Sequence, residues 1–383
     1  MRRNTIVISI NAAWNIVNFR GGVISALQER GYRIVALAPD DEYRARLEEM
    51  GVELCPIAID SKGMSPLRDL ILLARYRAVL SRLKPVLFLG YTIKPNIFGS
   101  LAAHSLGIPV INNISGLGTA FINEGLLTRI ATTLYRIALR RSRTVFFQND
   151  EDRRLFLARK IVRPEQAGLL PGSGVDVQRF QPAESPGERD GCTFLFVGRL
   201  LWDKGVREFV EAARLVRARL PGARFQLLGF LDVPNRTAVG RSDVDGWIAE
   251  GLIEYLGAQS DVRPFVAAAD CIVLPSYREG LPRTLLEGAA MGKPLIASDV
   301  PGCRDVVEHR ANGLLCAVRD PGSLADAMML IAEMPHQRRT EMGALGRKTV
   351  EQRFDQQIVI DLYLAAIEAA LATSALRVSG DSA

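Results

Sequence analysis

Histidine, paired cysteines and long apolar runs are what this sequence has least of. Its three histidines, His104, His309 and His336, are scattered over 383 residues. That leaves little for a His-centred metal site or a Ser-His triad. The five cysteines, Cys55, Cys192, Cys271, Cys303 and Cys316, are odd in number and show no CxxC spacing. A disulfide framework or zinc site is not expected, and a reducing compartment fits. No stretch reaches the roughly 18 uninterrupted apolar residues that a spanning helix needs. Met1-Arg2-Arg3 followed by an apolar run looks superficially like a signal peptide, but Asn11 ends the run early and a first buried strand explains it better. A cytoplasmic protein, soluble or peripheral on a membrane, is expected. No GxGxxG follows that strand, and Gly116-Leu117-Gly118 lacks the third glycine. A dinucleotide is therefore disfavoured, and no cofactor is expected.

What is present is an ordinary globular mixture, 48% hydrophobic and 23% charged. The length suits two domains of about 150 to 200 residues. Charge divides unevenly between them. Residues 1–190 hold 26 Lys and Arg against 18 Asp and Glu, a net of +8, while the remainder nets −2. A basic first half suits nucleic acid, an anionic membrane surface or a phosphorylated substrate, and a plain solvated surface accounts for it as well.

Short apolar runs alternate with amphipathic helices. Strands are expected at Thr5–Ile10, Arg33–Ala38, Val52–Ile59 and Val86–Gly90, with helices near Gly22–Arg30, Asp41–Met50 and Pro66–Leu83. Gly31 and Gly51 suit helix C-terminal caps, and Pro66 suits a first turn. The series restarts at Cys192 after a stretch from Val175 to Gly191 that has little apolar periodicity and reads as a linker. Strands are expected at Cys192–Val197, Arg224–Leu228, Cys271–Leu274 and Leu295–Ala297, with helices at Val206–Leu220 and Arg283–Met291. Such alternation predicts an α/β protein of two Rossmann-like domains facing each other across a cleft. The expected domains are 1–175, 176–355, and a C-terminal helix with a frayed tail over 356–383. Ligands of such sheets bind at the carboxyl ends of the strands.

Two motifs sit at such ends. The run Leu274 to Glu287 places Glu279 in a loop just before a helix and Glu287 on that helix. Free N–H groups between about Gly280 and Thr284, with Leu281 and Pro282 in the turn, form a place for an anion such as a diphosphate. A carboxylate on the helix can accept bonds from two vicinal hydroxyls, as a ribose presents. In Gly198-Arg199-Leu200-Leu201-Trp202-Asp203-Lys204-Gly205, two cations follow a strand and could neutralise a departing diphosphate.

Together these motifs resemble the retaining GT-B glycosyltransferases of glycosyltransferase family four, which carry G-R-x4-K-G followed by E-G-x-P-x4-E. The resemblance implies that Arg199 and Lys204 hold the donor's phosphates, that Glu279 touches the sugar ring, and that Glu287 holds the ribose. It implies catalysis by Glu279, Arg199 and Lys204, and a base-side strand near Tyr255-Leu256-Gly257-Ala258, with Gly257 beside the donor. Gly90-Tyr91-Thr92-Ile93-Lys94-Pro95-Asn96, Ser115–Phe121 and Leu200–Gly205 resemble bacterial enzymes that extend undecaprenyl-diphosphate-linked saccharides, some of them N-acetylgalactosaminyltransferases. On the acceptor side this implies Thr92, Lys94, Asn113 and Ser115. Many members carry a histidine in the first domain; Asn112-Asn113-Ile114-Ser115-Gly116 has none. The family's chemistry is pictured as front-face attack, with the departing phosphate taking the acceptor's proton, and it needs no protein nucleophile.

The remaining features have two readings each. Arg20-Gly21-Gly22 could let backbone approach a donor phosphate at Gly22, or could be a plain turn. Asp243-Val244-Asp245 has the DxD spacing of metal-dependent transferases, but lies in a polar stretch and reads as a loop or helix cap; no metal is expected. Arg129, Arg136, Arg140 and Arg143 fall on one helical face, which would suit an anionic membrane surface or simple solvation. The expected partners are a nucleotide-sugar donor, a lipid-linked saccharide acceptor and an anionic membrane surface, with no nucleic acid. A nucleotide-sugar epimerase of the same fold is an alternative, but lacks the combined G-R-x4-K and E-x7-E pattern. A non-catalytic two-lobed binding protein is another, and would not need paired cations opposite a carboxylate loop.

Overall fold

The structure, a computed structural model, describes residues 4–60, 65–116, 126–183, 191–233, 235 and 237–380. The chain forms two compact units, Met1–Ser173 with Gln357–Ala383, and Gly174–Gln356.

The first unit is built on seven strands: β1 (Thr5–Ser9), β2 (Arg33–Ala38), β3 (Glu53–Pro56), β4 (Leu87–Tyr91), β5 (Val110–Ile114), β6 (Thr144–Phe147) and β7 (Ala167–Leu169). All pair in parallel, in the order β3-β2-β1-β4-β5-β6-β7. β1, β4 and β5 are buried along their whole length. That is why they read as continuous apolar runs rather than alternating ones: helices cover both faces of the sheet. Alternation still sorts the side chains. Ile6, Ile8, Ile34 and Leu89 join one core layer, whereas Val7, Val35, Leu37 and Phe88 join the other.

The C-terminal helix Gln356–Gly380 belongs to this first unit. Its window Gln356–Thr373 is apolar enough, at mean hydropathy 1.2, to pass as a membrane span by length and composition. Its packing says otherwise, because Val359, Tyr363 and Ile367 are buried in the same core layer as Ile6 and Leu89. Asn113 Nδ2 donates to Tyr363 Oη at 2.7 Å. The polar composition after Thr373 predicts fraying, yet the helix continues to Gly380; residues 381–383 lie outside the described residues.

The second unit repeats the plan with six parallel strands: β8 (Thr193–Val197), β9 (Arg224–Leu228), β10 (Glu254–Tyr255), β11 (Cys271–Leu274), β12 (Leu295–Ser298) and β13 (Gly313–Cys316). Their order is β10-β9-β8-β11-β12-β13. In each sheet the winding reverses between the first strand and the fourth. Such switch points open a crevice at the strands' carboxyl ends, where the two flanking connections run off to opposite faces. In the second unit that crevice lies between β8 and β11, the strands that precede the two sequence motifs.

Candidate active site

The loop after β8 is held by backbone. A short 3-10 turn, Trp202–Lys204, ends at Gly205, whose φ of 78° is left-handed. A Cβ at Gly205 would lie 2.0 Å from Pro275 O, so only glycine lets this loop close against the end of β11. Tyr277 N donates to Asp203 O at 3.0 Å, and Ser276 Oγ reaches the same carbonyl at 3.3 Å. The two loops are thus tied together before any side chain of the motifs is considered.

That tie sets the side chains. Lys204 Nζ pairs with Glu279 Oε1, and both groups are largely withdrawn from solvent, with side-chain exposures of 23% and 11%. Arg199 stands exposed and forms no ion pair among the described residues. Gly302, at φ 77°, packs beneath the Glu279 loop; a Cβ there would lie 2.3 Å from Gly280 O. After that loop Pro282 opens the helix Arg283–Ala290. Thr284 Oγ1 donates to Val197 O at 3.1 Å, which pins the helix's first turn to the end of β8. The first turn of any helix leaves N–H groups without intrahelical acceptors, and here they sit at the switch point.

Glu287 is one turn further on. Arg283 Nε donates to Glu287 Oε1 at 2.7 Å. Burial pushes the Glu287 carboxyl above the usual carboxylate range, while Arg283 and Arg179 pull the other way. A buried carboxylate with one cation in direct contact among the described residues retains acceptor capacity for hydroxyls. Tyr277, which the sequence did not single out, donates to Glu208 Oε1 at 2.8 Å. Burial and Glu208 push its hydroxyl up to about 12, so it stays a donor. Arg319 stacks 4.5 Å over the Tyr277 ring.

Gly257 follows the edge strand β10 with φ 72°, and nothing lies within 4 Å of a Cβ built on it. Asp243 caps a helix: its Oδ2 accepts from Gly240 N at 3.1 Å, in the first turn of Arg241–Ala249.

In the first unit several expectations need correction. Gly22 is the second residue of the helix Gly21–Glu29 and has no left-handed backbone. A helix, Ala13–Phe19, fills most of the supposed loop before it. The paired glycines open the helix Gly21–Glu29, so they form its N-terminus rather than a loop. Asn113 is 1% exposed; Tyr363 and Ser115 Oγ occupy its amide, so it is interior scaffolding rather than an acceptor contact. Asn96 and Asn112 are buried with it in a network that includes Ser100 and Ser142. Lys94 is paired with Asp69 at 2.7 Å and lines a cavity of about 510 Å³ with Arg68, Arg75 and Ile71. Thr92 has φ 60°, and its Oγ1 is buried without a partner. The Ser115–Phe121 motif is described only through Gly116. The arginine face is also smaller than expected. The helix runs Leu126–Leu139, so Arg140 and Arg143 belong to the turn beyond it.

Comparison with known proteins agrees with this architecture. Residues 191–333 match the family of glycosyl transferases group 1, and residues 18–173 match the glycosyl transferase 4-like domain. The chain belongs to these glycosyltransferases. Its fold is GT-B. A glycosyltransferase from Rickettsia africae superposes with a TM-score of 0.78 at 17% identity, covering 97% of this chain and 99% of that one. Anabaena Alr3699/HepE, solved in complex with UDP and glucose, gives 0.74 at 19% identity, covering 96% and 99%. Among sequences, the transferase is 27% identical to the Campylobacter jejuni N,N'-diacetylbacillosaminyl-diphospho-undecaprenol alpha-1,3-N-acetylgalactosaminyltransferase, over 84% of this chain and 88% of that protein. It is 25% identical to an Escherichia coli UDP-Gal:alpha-D-GlcNAc-diphosphoundecaprenol alpha-1,3-galactosyltransferase, over 71% and 73%.

Proposed function

We propose that this glycosyltransferase moves a hexose or N-acetylhexosamine, with retention of configuration, from a UDP-sugar to a saccharide carried on a polyprenyl diphosphate. The setting is assembly of a surface polysaccharide or glycan at the cytoplasmic face of the membrane. The observation that carries the reading is the convergence of Arg199, Lys204, Glu279 and Glu287 on one switch point, beside a helix N-terminus. The lipid-linked substrates of the Campylobacter and Escherichia relatives and the UDP in the Anabaena structure support it.

In this reading Arg199 and Lys204 hold the donor diphosphate, helped by the N–H groups of Gly280, Leu281 and Thr284, with Pro282 setting the turn. Glu287 holds the ribose, Gly257 lies beside the base, and Glu279 orients the sugar while keeping Lys204 in place. The C1–oxygen bond breaks, and the departing diphosphate takes the electron pair. The acceptor hydroxyl bonds to C1 on the same face and gives its proton to that phosphate. Cationic side chains neutralise the leaving group, so no metal is required in this scheme. Thr92, Lys94 and Ser115 lie on the acceptor side. Arg75 of the 510 Å³ cavity, whose other cations Arg68 and Lys94 pair with Asp60 and Asp69, suits a phosphorylated acceptor, and exposed Leu67, Leu70 and Ile71 suit a lipid.

The test is a product assay. The enzyme is incubated with UDP-, GDP- and dTDP-sugars and a short-chain polyprenyl-diphosphate saccharide, and products are read by mass spectrometry and anomeric NMR. A glycosylated lipid with the donor's anomeric configuration is expected. Inversion, or transfer only to soluble sugars, would overturn the corresponding half of the proposal.

A further inference from the structure

The first unit has its own switch point, between β1 and β4, and something unusual is buried there. Arg20 is 4% exposed, yet its Nε and Nη1 have no hydrogen-bond partner, and it forms no ion pair among the described residues. Its guanidinium lies 4.4 Å over the ring of Tyr91, the last residue of β4. Thr92 Oγ1 and Asn11 Oδ1 are likewise buried and unpartnered, and the buried Tyr91 hydroxyl, which faces Tyr363, has no hydrogen-bond partner within 3.5 Å. The β1–β4 register, Ser9 opposite Gly90, carries Asn11 and Thr92 on to the same end of the sheet. Thr92 also holds a left-handed φ of 60°, which a β-branched residue adopts only under constraint.

Four polar groups left unsatisfied together are costly, and a buried cation without a counter-ion costs most. A folded protein tolerates this where a ligand supplies what is missing. The missing partner is an anion: a guanidinium offers planar paired donors, and the hydroxyls of Tyr91 and Thr92 donate as well. The Asn11 amide offers N–H after a flip of its side chain.

We propose that Arg20, with Tyr91, Thr92 and Asn11, forms a phosphoryl-binding socket in the first unit. This deepens the transferase reading and rests on it for the source of the phosphoryl group. Both a nucleoside diphosphate and a polyprenyl diphosphate carry that chemistry.

Arg20→Met and Arg20→Lys are compared with wild type, full length, in calorimetric titrations with inorganic pyrophosphate, UDP and farnesyl diphosphate. Wild type is expected to bind pyrophosphate, and Arg20→Met to lose at least tenfold in affinity for it. A matching loss for farnesyl diphosphate alone assigns the socket to the acceptor, and a loss for UDP alone assigns it to the donor. Arg20→Lys keeps the charge without the planar fork and is expected to fall between. Ligand-free Arg20→Met is expected to melt at or above wild type, since it removes an uncompensated buried charge. A lower melting temperature together with unchanged binding of all three ligands would make Arg20 a packing residue and overturn the socket. Wild type that binds no pyrophosphate overturns it too. Failure of UDP alone to bind any form would count against the donor reading and leave the pyrophosphate result standing.

Discussion

At the scale of single residues, the second unit's site makes two sharp demands. Arg199→Ala or Lys204→Ala should lower turnover by roughly 10²–10³, the cost of losing one preorganised charge stabiliser. Steady-state rates with saturating donor check this, and near-normal turnover in both variants would remove these cations from the leaving-group role. Glu287→Gln keeps the shape and the Arg283 contact but loses the charge. Hydrogen bonds to charged groups are worth about 1.5–3 kcal/mol, so UDP affinity should fall about tenfold to a hundredfold. Folding stability should hold or rise, because burial already disfavours the Glu287 carboxylate. Weakened folding with unchanged UDP affinity would make Glu287 a structural residue. The placement of Arg199, Lys204, Glu279 and Glu287 beyond the ends of β8 and β11 was legible because each motif is short and local, and a strand end followed by a helix start fixes where its side chains stand. The Lys204–Glu279 pair, 75 positions apart, was not legible as a pair. Neither was the isolation of Arg20, because lacking a partner is a property of the packed fold and leaves no pattern in the chain.

At the scale of elements, the periodicity located most of the expected strands to within a residue, although Val52–Ile59 overshoots β3 by three residues at its end, and β5, β6, β7 and β13 were not among them. Arg33–Ala38, Arg224–Leu228 and Cys271–Leu274 fall as the sequence predicts, because strands buried on both faces leave uninterrupted apolar runs. The stretch from Asn11 to Gly22 was misread. Its paired glycines suggest a loop, but buried Ala13 and Ile16 anchor a helix of two turns, and the second helix begins at Gly21 itself. Tertiary burial overrode the local preference of glycine. Asn113, placed on the acceptor side by the resemblance, is buried under Tyr363 of a helix 250 positions away, a contact that no local pattern in the sequence reveals. That contact is itself testable. Tyr363→Phe leaves Asn113 Nδ2 buried without its acceptor, which should cost about 1–3 kcal/mol. A thermal melt of the full chain should show the loss. An unchanged melting temperature would mean that water replaces the hydroxyl and that the helix is held by its apolar face alone.

At the scale of the whole molecule, two properties follow from charge and exposure. Excess chelator should leave turnover intact if the cationic side chains and the helix N-terminus alone stabilise the leaving group. Complete loss restored by manganese would require a divalent ion and reopen the question of Asp243 and Asp245. The second is the proposed membrane association. In the first unit the helices Pro66–Leu83 and Leu126–Leu139 both pack on the segment Pro95–Ser105. Leu67, Leu70, Ile71, Ile130 and Ile137 are exposed on them, from 43% to 69%, among Arg68, Arg129, Arg136 and Arg140. Apolar side chains exposed beside cations are what an interfacial surface needs. Each cation close to an anionic bilayer contributes about 1 kcal/mol, so a handful localises an enzyme reversibly. Screening shortens the reach of those charges as salt rises, whereas the apolar contribution does not weaken in the same way. Wild type should therefore co-sediment with phosphatidylglycerol vesicles at low salt and release in part at high salt. A variant with Glu at Arg129, Arg136 and Arg140 should bind weakly at every salt. A variant with Ser at Leu67, Leu70 and Ile71 should bind at low salt and release completely at high salt. If all three proteins ignore the vesicles alike, the exposed apolar and basic residues are a solvated surface, and the acceptor must reach the enzyme by another route.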